Sequence, residues 1–520
     1  MKKKLVSTFL ASILAFGFFA QQFSMVKDIQ QGVFSSYPGN FSDYNGELLF
    51  TANSNIDGYC LFKSDGTNSG TNVLKDQWQG SQIEWFQFVN GKLFQSSHDK
   101  TNKIWYTNGT PTGTYVIYDL LGTFPSASIC SDLIYLNNYV YFITKEYDNV
   151  WGNITHKICR SNANFQNIDV VHQWSNTFSQ GTWFKFDNVL TNVIIGTGNG
   201  TWSLNTLNNS VFQLSSDLTI FGNVSKVYYN NKIYYSKNNN LYSIDGTNSG
   251  VTDLQIGIPI RELVVFNNLI YFSGGSIGTG QSGIELYKTN GTPLNTSLVS
   301  DIFFGFNSSE PRDFNVVNNK LFFVGNSIND ITIYCYDPIL NNVLNTSATT
   351  LVEISDRKTQ LVGFNNLLYY SAPVSSWDIW KLWETNGTSN SAILTQNIDL
   401  TKDSACIGDF YVVNNKLFFV ACDSQHGQEL WSSVTNNSLG MGLEENVNFS
   451  IFPNPTSHSI TIKGEKNMNQ SFSIFDQMGR EVFKGKLIGT ETEVNLSSLS
   501  KGIYTLKIDG NYQPTQIVKE

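Results

Sequence analysis

Apolar residues in this chain come in short runs, each entered through a polar pair. The pairs are Asn45-Gly46 before ELLF, Asn90-Gly91 before KLFQ, Asn137-Asn138 before YVYF, Asp187-Asn188 before VLTN and Asn230-Asn231 before KIYY. Asn267-Asn268 before LIYF, Asn318-Asn319 before KLFF, Asn365-Asn366 before LLYY and Asn414-Asn415 before KLFF continue the series. Asn and Gly tolerate the positive φ of a tight hairpin, so each pair predicts a turn between two strands. The runs are apolar at consecutive positions, the pattern of strands covered on both faces.

A second phrase follows each run, with an aromatic residue at Phe62, Trp105, Trp202, Tyr242, Tyr287, Tyr336, Trp383 and Trp431, and Cys159 in that place in the third copy. Several copies then carry a Gly-Thr turn, as in Asp65-Gly66-Thr67, Asn108-Gly109-Thr110, Asp245-Gly246-Thr247, Asn290-Gly291-Thr292 and Asn386-Gly387-Thr388. These read as primed hairpin turns with two left-handed residues each. Four short strands per unit, recurring at intervals of roughly 37 to 51 residues, have the dimensions of a propeller blade. The segment Val26-Lys27-Asp28-Ile29 matches the last strand of a unit, while the final unit stops after Glu429-Leu430-Trp431. The N-terminal strand is therefore expected to complete the C-terminal blade, which leaves no open sheet edge. The expected fold is all-β: a β-propeller of about seven to nine four-stranded blades, then a small Ig-like β-sandwich.

Glu429-Leu430-Trp431, the turn from Ser64 to Thr71 and Val26 to Ile29 together resemble the ELWxSDGTxxGTxxVKDI repeats of large exported bacterial proteins. After Asn436 the register ends. Ile451-Phe452-Pro453-Asn454-Pro455-Thr456, Asp476 to Arg480 and Leu499-Ser500-Lys501-Gly502-Ile503-Tyr504 follow in order, with Lys519 near the terminus. This segment resembles the C-terminal sorting domain of the type IX secretion system of gliding and oral Bacteroidetes. The resemblance implies that Pro453, Asn454, Pro455, Gly479, Arg480, Gly502 and Tyr504 belong to a sorting motif. It also implies the secretion machinery and its surface sortase as partners, and release or attachment outside the outer membrane.

At the other end Lys2, Lys3 and Lys4 precede an apolar run from Leu5 to Ala20, the arrangement of a secretory signal peptide. The expected organisation is a leader at 1–20, a repeat body at 21–440 and a sorting domain at 441–520. No later run reaches the roughly 20 apolar residues of a membrane helix, so no transmembrane segment is expected in the mature chain. Net charge is −9 over 520 residues with no block of like charge, which argues against a nucleic-acid partner.

Six cysteines pass through an oxidising compartment. Cys406 and Cys422 flank the Asn414-Asn415 turn almost symmetrically, and one bulged residue near Gly408 would bring them face to face as a disulfide. Cys60, Cys130, Cys159 and Cys335 have no such relation and are expected reduced. No Cys-x-x-Cys pair occurs and the five histidines are far apart, so neither metal nor other cofactor is expected. Gly274 to Gly278 satisfies Gly-x-Ser-x-Gly, but a strand follows where a nucleophile elbow needs a helix. Arg261 and Arg312 lie six residues before their turns and Arg357 eight before its own. On innermost strands they would line a central opening and meet an anionic ligand; the plainer reading pairs them with Glu262, Glu310, Asp313 and Asp356. The expected function is a secreted or cell-surface binding or structural repeat protein with a glycan or protein ligand. The alternative is a secreted polysaccharide hydrolase or lyase, for which no acid and nucleophile pair can be assigned.

Overall fold

The computed structural model describes residues 21–54, 58–78, 86–89, 93–96, 103–120, 127–147, 153–177, 184–197, 200–215, 225–237, 240–247, 250–275, 283–327, 331–346, 360–373, 380–395, 407–423, 425–434, 449–454, 456–468, 471–476, 481–487, 489–508 and 515–519. The leader lies outside these residues. The chain divides into two compact units, Met1–Thr435 and Asn436–Glu520. Among the described residues no helix is long and apolar enough to cross a membrane.

In the larger unit the described residues form nine antiparallel sheets, eight of them built from consecutive strands. The third carries a short extra strand, Ile134–Leu136, beside its second strand. The sixth is typical, with Ile260–Phe266, Leu269–Gly275, Ile284–Thr289 and Ser297–Ser300 in spatial order. The ninth takes three strands from the end of the unit, Gly408–Val413, Lys416–Ala421 and Glu429–Val434, and its fourth from the beginning, Gln22–Lys27. That last pairing runs from Gln22 opposite Val434 to Lys27 opposite Leu430.

The Asn-Asn pairs are the first hairpin turns, both residues left-handed, from φ 46 and 57 at Asn267 and Asn268 to φ 51 and 66 at Asn137 and Asn138. The fourth copy departs from the sequence reading. Asp187 and Asn188 lie within strand Lys185–Val189, opposite Ile194 and Val193, and the turn is Leu190-Thr191. The polar pair stands three residues before the corner. The Gly-Thr turns also differ from the primed type, because only the glycine is left-handed, φ 86 at Gly66 and 91 at Gly291. What holds them is the preceding side chain. Asp65 Oδ1 accepts the Thr67 N–H at 2.8 Å and hydroxyl at 2.7 Å, and Asn108, Asp245, Asn290 and Asn386 do the same for Thr110, Thr247, Thr292 and Thr388. One acceptor oxygen suffices, which is why Asp and Asn interchange at this position.

The double-faced apolar runs are explained by packing. Phe418 joins a core with Leu48, Phe50 and Cys60 of the first sheet, while its neighbours Leu417 and Phe419 join one with Tyr369 and Leu382 of the eighth. Nine such clusters, each shared by two sheets, link the first sheet to the second and so on to the ninth. The last links the ninth back to the first. Aromatic pairs stack across the second and third strands, among them Phe50 on Phe62, Tyr235 on Tyr242, Phe272 on Tyr287 and Tyr370 on Trp383. In the seventh sheet it is Tyr334, stacked on Phe323, that takes this place. Tyr336, expected there, lies two residues on.

Four of the first strands share a bulge. Register shifts by one between Gly39 and Ser42, Ile260 and Leu263, Arg312 and Asn315, and Gly408 and Tyr411. Asn40, Asp313 and Asp409 take φ of 56, 54 and 52 there. The bulge near Gly408 is thus carried by Asp409. Amides freed by a bulge are met from the preceding sheet: Glu262 accepts from Asp313 at 3.1 Å, and the Gln360 amide oxygen from Asp409.

The smaller unit has two sheets, one of Phe449–Phe452, Ser459–Met468 and Gly489–Asn495, the other of Glu481–Lys486, Ser471–Phe475, Gly502–Ile508 and Thr515–Lys519. They share one core that includes Ile460, Ile462, Phe472, Ile474, Val494, Leu506 and Ile517.

Candidate functional site

The best-built polar feature of the body is a buried glutamate that pins the loop leaving a sheet, and it occurs twice. In the ninth sheet, Glu429 is fully buried. It accepts the N–H groups of Ile29 at 3.2 Å and Gln30 at 3.3 Å and the Ser36 hydroxyl at 2.6 Å. In the sixth, Glu285 accepts the N–H groups of Ile302 and Ser309, both at 2.9 Å, and the Ser309 hydroxyl at 2.5 Å. The loops match residue for residue. Asp28-Ile29-x-x-Gly32-x-x-Ser35-Ser36-x-Pro38 and Asp301-Ile302-x-x-Gly305-x-x-Ser308-Ser309-x-Pro311 are one pattern. Gly32 and Gly305, and Tyr37 and Glu310, are all left-handed. Burial pushes both glutamates up, Glu429 to about 7, against the donors that favour the charged form. The sequence reading passed over these residues, although the pattern stands in the chain twice.

So pinned, the loops hold large apolar side chains in solvent. Val33 and Phe34 are 64% and 63% exposed in one, Phe304 and Phe306 86% and 64% in the other. Beside the first loop, His426 Nδ1 lies 2.8 Å from the Asp423 carboxylate and Nε2 3.9 Å from Asp28.

Two of the three candidate arginines come together. Arg261 Nη1 is 3.1 Å from Glu310 Oε1, while Arg312 donates to the Glu310 carbonyl and to Asn326 Oδ1, both at 3.2 Å. Arg357 lies outside the described residues. The Arg261 pair is half exposed and contributes on the order of 0 to 1 kcal/mol.

Cys422 is disulfide-bonded, whereas Cys60, Cys130, Cys159 and Cys335 are buried thiols. Burial raises Cys130 and Cys335 to about 12 and Cys159 to about 11, which suppresses the reactive thiolate. Cys406 lies outside the described residues.

In the smaller unit the Pro-Asn-Pro-Thr segment holds the last strand. Asn454 Oδ1 accepts the Val518 N–H at 2.8 Å, Thr456 N–H donates to the Val518 carbonyl at 2.9 Å, and Lys519 Nζ donates to the Ser457 carbonyl. Pro453 adjoins this clasp through a cis peptide after Phe452. The Tyr504 hydroxyl donates to the Ser500 carbonyl at 2.8 Å, and Gly502 opens the same strand. Pro455, Gly479 and Arg480 lie outside the described residues.

Residues 450–519 match the family described as the secretion system C-terminal sorting domain. The chain therefore ends in a sorting domain, and the protein is exported. No curated protein matches the chain. Among solved structures, it is similar to PorZ, a surface component of the type-IX secretion system of Porphyromonas gingivalis, at 11% identity and TM-score 0.31 over 92% of this chain and 75% of that one. It is also similar to the oligogalacturonate lyase of Vibrio parahaemolyticus, at 10% identity and TM-score 0.34 over 80% and 94%. A puromycin hydrolase gives 11% and 0.33 over 69% and 62%. At these values neither fold nor activity transfers.

Proposed function

We propose that residues 21–440 form a closed nine-bladed β-propeller exported by a type IX secretion system, displayed at the cell surface as a binding module for a glycan or protein. Residues 441–520 are its Ig-like sorting domain, removed by the surface sortase, and residues 1–20 its cleaved leader. The observation that carries the ring is the equivalence of Glu429 and Glu285. The N-terminal strand stands to Glu429 as Ser297–Ser300 stands to Glu285, so the ninth sheet is an ordinary blade completed from the far end of the chain. The hydroxyl of Tyr504 bonded to backbone four residues upstream fits an Ig-like sandwich.

Binding is favoured by the two pinned loops. Large apolar side chains held in solvent by buried hydrogen bonds are ready to be covered without a large ordering cost. Two experiments test the reading. Deleting Asn446 to Glu520 in the native host should leave the body in the periplasm, and normal secretion of the truncated chain would refute the sorting assignment. On a glycan array, the mature body should give signals that Phe34→Ser with Phe304→Ser removes. Signals indifferent to that pair would move the ligand site elsewhere.

A further inference from the structure

The third and fourth sheets do not fill the space between their outer strands. On the third, Ile158 of strand Asn153–Ser161 opposes His172 of strand Ile168–Thr177, and Trp174 follows two residues on, on the same face. On the fourth, Ile195 of strand Asn192–Thr197 opposes Trp202 of strand Gly200–Asn205, with Val211 on the neighbouring strand Val211–Ser215. These six residues line a cleft of about 90 Å³, open on one side.

The wall on the third sheet is braced by neighbouring rings. Trp174 stacks on His156, ring centroids 5.2 Å apart and planes at 16°, and meets Phe184 edge-on at 5.8 Å and 85°. His172 stacks on Trp174 at 6.1 Å and 29°. A ring held by three others does not swing in to close the gap. His156 is fully buried, and neither of its ring nitrogens has a hydrogen-bond partner. Burial, helped by Lys145 across the strand pair, lowers its pKa and favours the neutral imidazole.

We propose that this cleft binds a single aromatic ring carrying one polar substituent, the ring packed against Trp174 and Trp202 and the substituent left at the open side. Size and chemistry both select that class. A closed apolar cavity of about 150 Å³ holds a whole benzene, so a smaller one with an open side takes a ring only in part. Offset and edge-on contacts with two indoles and an imidazole reward an aromatic ring over an aliphatic chain. A pyranose would bring hydroxyls on its whole rim into walls made of Ile158, Ile195 and Val211, which return no hydrogen bonds. Apart from the His172 imidazole, none of the six side chains can carry a charge to meet that of a ligand. The proposal stands apart from the glycan or protein ligand of the exposed loops.

The test is a ¹⁹F NMR titration of the full chain with 4-fluorophenol, run beside methyl β-glucopyranoside as competitor. A saturable response that the glucoside does not displace is expected. Val211→Phe, a substitution on a partly exposed strand, fills the cleft without removing a wall and should weaken binding at least tenfold with the melting midpoint unchanged. If that variant melts earlier, Trp202→Ala must weaken binding by a similar factor in a folded protein. No saturation, equal binding by the folded variants, or displacement by the glucoside would each overturn the proposal.

Discussion

Glu429 is where a single side chain bears most on the body. Its ordinary pKa is 4.5 and in the fold it rises to about 7, because burial, with the like charge of Asp28 adding to it, disfavours the charge more than three donors favour it. A folded pKa above the unfolded one means the folded state holds its proton more tightly. The stability this adds is fully present below about pH 4.5 and is lost as pH rises through about 7. The shift corresponds to about 3 kcal/mol between those limits. Glu429→Gln keeps one acceptor oxygen, which can serve Ile29 and Ser36 though not Gln30, and cannot titrate. Urea midpoints at pH 5 and pH 8 should fall less with rising pH in this variant than in the parent, and equal falls would show that the carboxyl does not carry the dependence. Glu285 titrates in both proteins and cancels.

At the level of strands, the sequence was readable where local chemistry fixes the backbone and unreadable where a partner sheet does. Asn137-Asn138 and its counterparts were legible because few residues accept two successive left-handed positions. The apolar second strands were legible as double-faced, yet nothing in KLFF says that Phe418 faces the first sheet and Phe419 the eighth. Leu190-Thr191 was missed because neither residue advertises a turn; the strands on either side impose it. Glu429 and Glu285 were missed because a glutamate in a buried strand has meaning only once the loop that returns to it is known. The bulge near Gly408 was legible as a requirement of two cysteines, although Asp409 takes the left-handed conformation. Its register bears on the disulfide. Gly408 opposes Val420, and the same register carried two residues further would set Cys406 against Cys422. Non-reducing peptide mapping should recover one bridge, Cys406 to Cys422, and Cys422→Ser should lower stability by about 3 kcal/mol for a loop of this length. A map that joins Cys422 to any other cysteine would refute this register.

For the body as a whole, the decisive question is whether the junction between its two ends is as firm as any other pair of strands. Gln22–Lys27 contributes Phe23 to the core with the eighth sheet and Val26 to the core with the first, so the strand is apolar on both faces like the others in the series. It also covers the edge of Glu429–Val434, which would otherwise present unpaired amides and carbonyls to a second molecule. Because the joined residues lie at opposite ends of the body, a covalent link there should restrict the unfolded chain more than a link inside any one sheet. Ser24 and Ser432 are direct partners in this ladder, and both are small. Replacing them as Ser24→Cys and Ser432→Cys should let a disulfide form in the folded protein, closing a loop of some 400 residues. By chain entropy that removes about 6 kcal/mol of unfolded-state freedom. The oxidised pair should therefore raise the unfolding midpoint well above that of the same protein reduced, and above the gain from an equivalent bridge within the sixth sheet. If the bond forms only after partial unfolding, or forms without raising the midpoint, the N-terminal strand is not a standing member of the ninth sheet and the ring is open at that point.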